Sequence, residues 1–167
     1  MHPLVEQVQQ HTRGQKLPPP VSDSDIAEAE RRLGFPLPDL LRELYTTIAD
    51  GGFGPSGGLL PLLRPVPETK LMNGSLPGRE SVVELYEAFR VGDPEDETGP
   101  WPDRLLPIVD HGCAIRSCVD CSTPALAIVY HEPYVSRTPG CPSLERWLRE
   151  WIASPALWKL GSRNEVA

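Results

Sequence analysis

Residues Ser22 to Gly54 read SDSDIAEAERRLGFPLPDLLRELYTTIADGGFG and carry two complete helix signatures joined by a proline-locked elbow. Ser22 is placed to cap the free amide three residues on, and Asp25 to reach back, as in a capping box with Asp in the usual Glu or Gln position. Val21 and Ile26 fall where a hydrophobic staple belongs. Ile26, Ala29 and Leu33 then share one face, while Glu28, Arg31 and Arg32 point elsewhere, so the first helix has a narrow apolar stripe and a wet side. Gly34 stands at its natural stop, where a left-handed residue costs least. The run Phe35-Pro36-Leu37-Pro38 cannot continue a helix, and Pro38 is suited to open the next one. There Leu41, Leu44, Tyr45 and Ile48 recur at i, i+3, i+4 and i+7 before Gly51-Gly52 ends the pattern.

Outward from this stretch, the residues before it predict a short helix within 1–13, with Leu4, Val5 and Val8 on one face. A polyproline lead-in, Lys16 to Pro20, follows and sets residues 1–20 apart as an appendage. After it, Gly57 to Leu63 reads as a strand interrupted by Pro61, at a sheet edge or in two fragments. No period is dependable from Pro65 to Arg79. Val82, Leu85, Tyr86 and Phe89 return to helical spacing, capped near Ser81 and stopped at Gly92. Leu105 to Val109, Cys113 to Val119 and Ala125 to Tyr130 read as strands, the last two joined by a turn at Asp120 to Pro124. Pro142-Ser143 opens an amphipathic helix with Leu144, Trp147, Leu148, Trp151 and Ile152 on one face, and Trp158 is expected to pack back onto the domain. Helices first, an antiparallel meander next and a closing helix make an α+β arrangement rather than an alternating parallel sheet.

The pattern I-x-x-x-E-x-x-L-G-F-x-L-P-x-x-L-x-x-L, carried by Ile26, Glu30, Leu33, Gly34, Leu37, Pro38, Leu41 and Leu44 and followed by Gly51 and Gly52, resembles the N-terminal signature of the SMI1/KNR4 family, the SUKH superfamily. Leu106-Pro107-Ile108-Val109-Asp110-His111-Gly112 resembles that family's "P-I-x-x-x-G" strand, and Leu144 with Trp147-Leu148 its closing helix. The resemblance covers about 21–160. It implies a single domain with an N-terminal helix pair, a central mainly antiparallel sheet and a closing C-terminal helix, leaving 161–167 as a tail. It also implies that the 57–63 segment begins the sheet.

The chain has 167 residues, enough for one domain with a real core and no need of disulfides. Its 20 prolines and 14 glycines demand many rigid turns, while a hydrophobic share of 40% excludes a disordered chain. A formal charge of −7 argues against nucleic acid as ligand and for a basic protein partner. No apolar run approaches the roughly 18 residues of a membrane span, and the first residues lack the apolar middle of a signal peptide, so a cytoplasmic protein is expected.

Cys113-x4-Cys118-x2-Cys121, with His111 before and Cys141 after, has the ligand count of a tetrahedral zinc shell. Strand alternation, however, sends Cys113 and Cys118 to opposite faces, and a single C-x-x-C lacks its partner pair. Buried reduced thiols are the favoured reading, and no metal, cofactor or catalytic residue is assigned. Asp110-His111-Gly112 reads as a turn rather than part of a triad, because no nucleophile motif accompanies it. The glycines at 51–54 and 57–58 lack a phosphate-cradle pattern and read as turns.

The binding feature is the loop Gly92 to Pro102, GDPEDETGPWP, with Asp93, Glu95, Asp96 and Glu97 and no balancing cation within it. Uncompensated carboxylates speed association with a basic partner, and Trp101 would supply an anchor beside them. The resemblance implies a non-catalytic bacterial immunity protein that sequesters a toxin such as a basic nuclease or other nucleic-acid-directed enzyme. Two alternatives stand: a regulatory scaffold, as eukaryotic members are, or a zinc- or thiol-dependent protein built on the four cysteines. Oligomeric state is not legible.

Overall fold

The computed structural model describes residues 1–76 and 78–155. In chain order it contains α1 (Pro3–His11), α2 (Asp23–Leu33), α3 (Asp39–Thr47), β1 (Thr69–Leu71), β2 (Gly74–Leu76), α4 (Val82–Val91), β3 (Leu105–Asp110), β4 (Arg116–Asp120), β5 (Ile128–Glu132), β6 (Ser136–Pro139) and α5 (Leu144–Ala153). The strands β3-β4-β5-β6 form one antiparallel meander, and β1-β2 is a separate hairpin. The α+β architecture is therefore as the sequence implies. No helix among the described residues is long and apolar enough to cross a membrane.

The helix pair forms for local reasons. The Ser22 hydroxyl accepts from the Asp25 amide, Gly34 closes α2 at φ 82°, and Pro38 sits at the N-cap of α3. Asp25 does not complete the capping box; both its oxygens accept from the Arg64 guanidinium, each at 2.8 Å. The elbow is held by Glu30, whose Oε1 accepts from the Leu37 amide at 2.9 Å and pairs with Arg42. One side chain on α2 thus satisfies an amide that two prolines leave stranded and ties α2 to α3.

Segment 57–63 departs from expectation, because it forms no strand. Leu59, Leu60, Leu62 and Leu63 are all buried, but their backbone groups are spent elsewhere. Leu60 donates to Ile108 at 2.8 Å, beside an irregularity in the β3-β4 register, and Leu62 donates to the Asp50 carboxylate at 2.7 Å. The Pro61 and Leu62 carbonyls accept the first amides of α4, at 2.9 and 3.0 Å. A segment that caps a helix this way cannot also run a ladder. Gly51 and Gly58 permit its close approach to the end of the helix pair: a Cβ at Gly58 would lie 2.6 Å from the Gly52 carbonyl carbon, and one at Gly51 would lie 2.5 Å from the Leu59 oxygen.

The β1-β2 hairpin occupies the stretch that has no dependable period, and β6 lies where the sequence carries no strand signal. The strand expected from Cys113 begins only at Arg116, because Cys113 and Ala114 take φ 52° and 61° in the turn after β3. Helices α2, α4 and α5 bury the faces predicted for them, with Trp147 and Leu148 wholly inaccessible; Phe89 and Ile152 are half-buried. Trp158 and the 161–167 tail lie outside the described residues.

Helix α1 is no loose appendage. Leu4, Val5 and Val8 are each 0% exposed and belong to the same core as α3 and α5. Polar contacts ring this seam: the His2 amide donates to Glu43 at 2.7 Å, Arg149 donates to Gln7 at 2.8 Å, and the His11 and Trp151 rings meet edge to face at 4.7 Å.

Candidate functional site

The acidic loop leaves α4 at Gly92 and reaches β3 through Trp101. Asp93, Glu95 and Glu97 are exposed and Asp96 is half-buried, and none of the four makes an ion pair among the described residues. The structure nevertheless orders the loop, which charge repulsion alone would not. Asp93 accepts from the Glu95 amide at 2.9 Å and from the Tyr134 hydroxyl at 2.6 Å, while Asp96 accepts from the amide and hydroxyl of Thr98 at 2.9 and 2.6 Å. The Tyr134 hydrogen bond first, then the Glu95 amide, holds the Asp93 carboxyl below its ordinary range; the two Thr98 donors do the same for Asp96. Both are anions at neutral pH.

A cation absent from the loop's own sequence braces it from behind. Arg137 on β6 donates to the Thr98 hydroxyl at 3.0 Å and spans the carbonyls of Thr98, Gly99 and Pro100. Its guanidinium also stands 5.6 Å over the Trp101 ring. That contact decides the role of Trp101, which the sequence presents as an anchor for a partner. Trp101 is only 7% exposed, donates its indole N–H to the Leu105 carbonyl at 2.8 Å and packs at 4.5 Å on Phe89 and 4.8 Å on His131. It is the floor under the loop, not an anchor on its surface. The reason is nonlocal: β5 and β6 bring His131 and Arg137 against it. Asp93, Glu95 and Glu97 are exposed on the outside, with Asp96 half-buried between them.

His131 is 3% exposed, with Nδ1 lacking a hydrogen-bond partner among the described residues. Burial lowers its pKa, with Arg137 and Arg116 acting the same way and Asp96 opposing them. Nothing local in the sequence marks a histidine near the end of β5 for burial.

The cysteines come to no common centre. Cys113 is exposed, Cys118 is buried, Cys121 and Cys141 lie between, and all four are free thiols. Among the described residues, no group of three or more His, Cys, Asp or Glu side chains is placed to hold a metal ion. Burial pushes the Cys118 and Cys121 thiols up to about 12 and raises Cys141 as well, so these three are protonated at neutral pH rather than poised as nucleophiles.

Asp110-His111-Gly112 is the turn expected. The Asp110 carboxylate accepts from the Gly112 amide at 2.7 Å and does not orient the imidazole. His111 instead bridges two hydroxyls, Ser56 at 2.8 Å and Ser117 at 2.6 Å, pinning the glycine-rich loop to β4. Arg79 supports the same loop through the carbonyls of Gly57, Gly58 and Leu59. Two open depressions occur elsewhere. One, about 440 Å³, lies between Phe35, Tyr86 and the ion pairs Arg32–Glu87 and Arg90–Asp103; the other, about 370 Å³, lies between His11, Ser56 and Trp151. Neither includes the acidic loop.

No curated protein matches the chain significantly. The family model described as SMI1 / KNR4 family (SUKH-1) matches residues 20–150, which takes in the helix pair, the acidic loop, the whole meander and most of α5. The chain belongs to the SMI1/KNR4 (SUKH-1) family.

Proposed function

We propose that this protein is a non-catalytic immunity protein of the bacterial cytoplasm, which binds a toxin protein and neutralises it through Asp93, Glu95, Asp96 and Glu97. The observation that carries the reading is a loop of four carboxylates, ordered yet without ion-pair partners among the described residues, on a member of a partner-binding family. Hydrogen bonds from Tyr134 and Thr98 hold two of these carboxylates as anions and in place. A preordered charged surface loses less entropy on association than a mobile one and raises the encounter rate with an oppositely charged partner. With a net charge of −7, the inhibitor suits a basic enzyme whose channel is built for nucleic acid.

The test is stoichiometric inhibition. The product of the adjacent open reading frame is mixed with this protein at equimolar ratio and its toxic activity followed, beside a D93N/E95Q/D96N/E97Q variant. Loss of activity with wild type, and slower association with the variant, are expected. Full toxin activity in the equimolar mixture would overturn the proposal.

A further inference from the structure

Large apolar side chains exposed among the described residues are few, and three of them adjoin the acidic loop or the turn hydrogen-bonded to it: Val91 at 88%, Tyr134 at 59% and Val135 at 66%. Val91 ends α4 two residues before Asp93. Tyr134 and Val135 form the turn between β5 and β6, where the Tyr134 hydroxyl donates to Asp93. Asp93, Glu95 and Glu97 of the loop and Glu132 at the end of β5 are exposed as well. Tyrosine is among the residues that most often dominate binding energy, and one whose hydroxyl is already held has less rotamer freedom to lose. Apolar side chains in the open, rimmed by charge, mark an interaction surface.

We propose that Val91, Tyr134 and Val135 form the apolar centre of this protein's partner interface. Its occupant is a basic protein element that presents an apolar side chain between lysines or arginines. Charge complementarity selects that occupant: an apolar side chain alone would meet four carboxylates, and a purely cationic segment would leave the Tyr134 ring in water. The assignment deepens the immunity reading by replacing Trp101, which is buried, with Tyr134 as the aromatic anchor; it rests on that reading only for the identity of the partner.

Two arms test it. In the first, an amphipathic lysine–leucine peptide and a lysine-only peptide of equal charge are titrated into the isotopically labelled protein. Stronger binding of the amphipathic peptide is expected, with shifts centred on Val91, Tyr134 and Val135 as well as 93–97. In the second, the adjacent-frame toxin is titrated against Tyr134→Ser and Val135→Ser, each first shown to melt as wild type does. An anchor of this kind predicts affinity weakened by about 30-fold for Tyr134→Ser, with an unchanged salt dependence. Neutralising the carboxylates should instead flatten the salt dependence. Equal binding of both peptides with shifts confined to the loop, or toxin affinity within twofold of wild type in both serine variants, would overturn the inference. Peptide binding at the patch without any toxin binding would support the surface and refute the immunity role.

Discussion

Leu4→Ala is the sharpest test of how this chain is assembled, because Leu4 lies outside the 20–150 family match and yet is 0% exposed. An appendage would tolerate the change within about 0.5 kcal/mol, as exposed positions do. A core residue would not. Removing a fully buried leucine side chain down to Cβ costs about 2–5 kcal/mol, the spread depending on how far α3 and α5 can close on the space. For a chain of this size each kcal/mol moves the thermal midpoint by about 2–4 °C, so a fall of about 4–20 °C is expected. Urea unfolding followed by tryptophan fluorescence gives the free energy directly, since Trp147 and Trp151 report on α5, against which α1 packs. Gln9→Ala, on the exposed side of the same helix, is the control and should lie within about 0.5 kcal/mol of wild type. If Leu4→Ala is as stable as that control, α1 is not part of the folding unit and the reasoning fails.

Four further outcomes are expected. Gly58→Ala puts a Cβ 2.6 Å from backbone at φ 84°, so it should lower the urea midpoint far more than Gly57→Ala, where nothing lies within 4 Å. Glu30→Ala strands the Leu37 amide at the elbow and should cost about 1–3 kcal/mol in the same unfolding assay. Burial holds the His111 and His131 pKa values below the ordinary 6.5, so the unfolded chain takes up protons first as pH falls. Their stabilisation is complete above about pH 6.5 and lost as pH drops through the folded values; a urea midpoint no lower at pH 5.5 than at 7.5 contradicts this. Under native conditions a maleimide should modify exposed Cys113 first and buried Cys118 only after unfolding, an order that peptide mapping reads directly.

What was legible in the sequence was local. Ser22, Gly34, Pro38, Ser81 and Ser143 act on amides or turns within four residues, so four helices could be placed from their caps and periods alone. The hairpin β1-β2 and the edge strand β6 carry no such signal: Ser-Arg-Thr-Pro becomes a strand only because β5 offers it a ladder. Segment 57–63 shows the reverse, a strand-like apolar run whose hydrogen bonds are drawn off by Asp50, Ile108 and α4.

The candidate site divides along the same line. Four carboxylates within five residues, without a cation between them, are a fact of composition that guarantees an exposed loop, because burying unpaired charge is prohibitive. Whether Trp101 faced the partner or the core was not written in Pro100-Trp101-Pro102. That depended on His131 and Arg137 arriving from strands thirty or more residues away, and the Tyr134–Asp93 contact spans 41 positions. The docking of α1 on α5 likewise joins Gln7 to Arg149, 142 residues apart. By itself the sequence determined which segments form helices, the family and the charge the protein shows to a partner, since caps, periods and net charge act over a few residues or by simple addition. Only the tertiary structure decided which aromatic is floor and which is surface, and that the first helix belongs to the core, since both depend on contacts made only when distant segments meet.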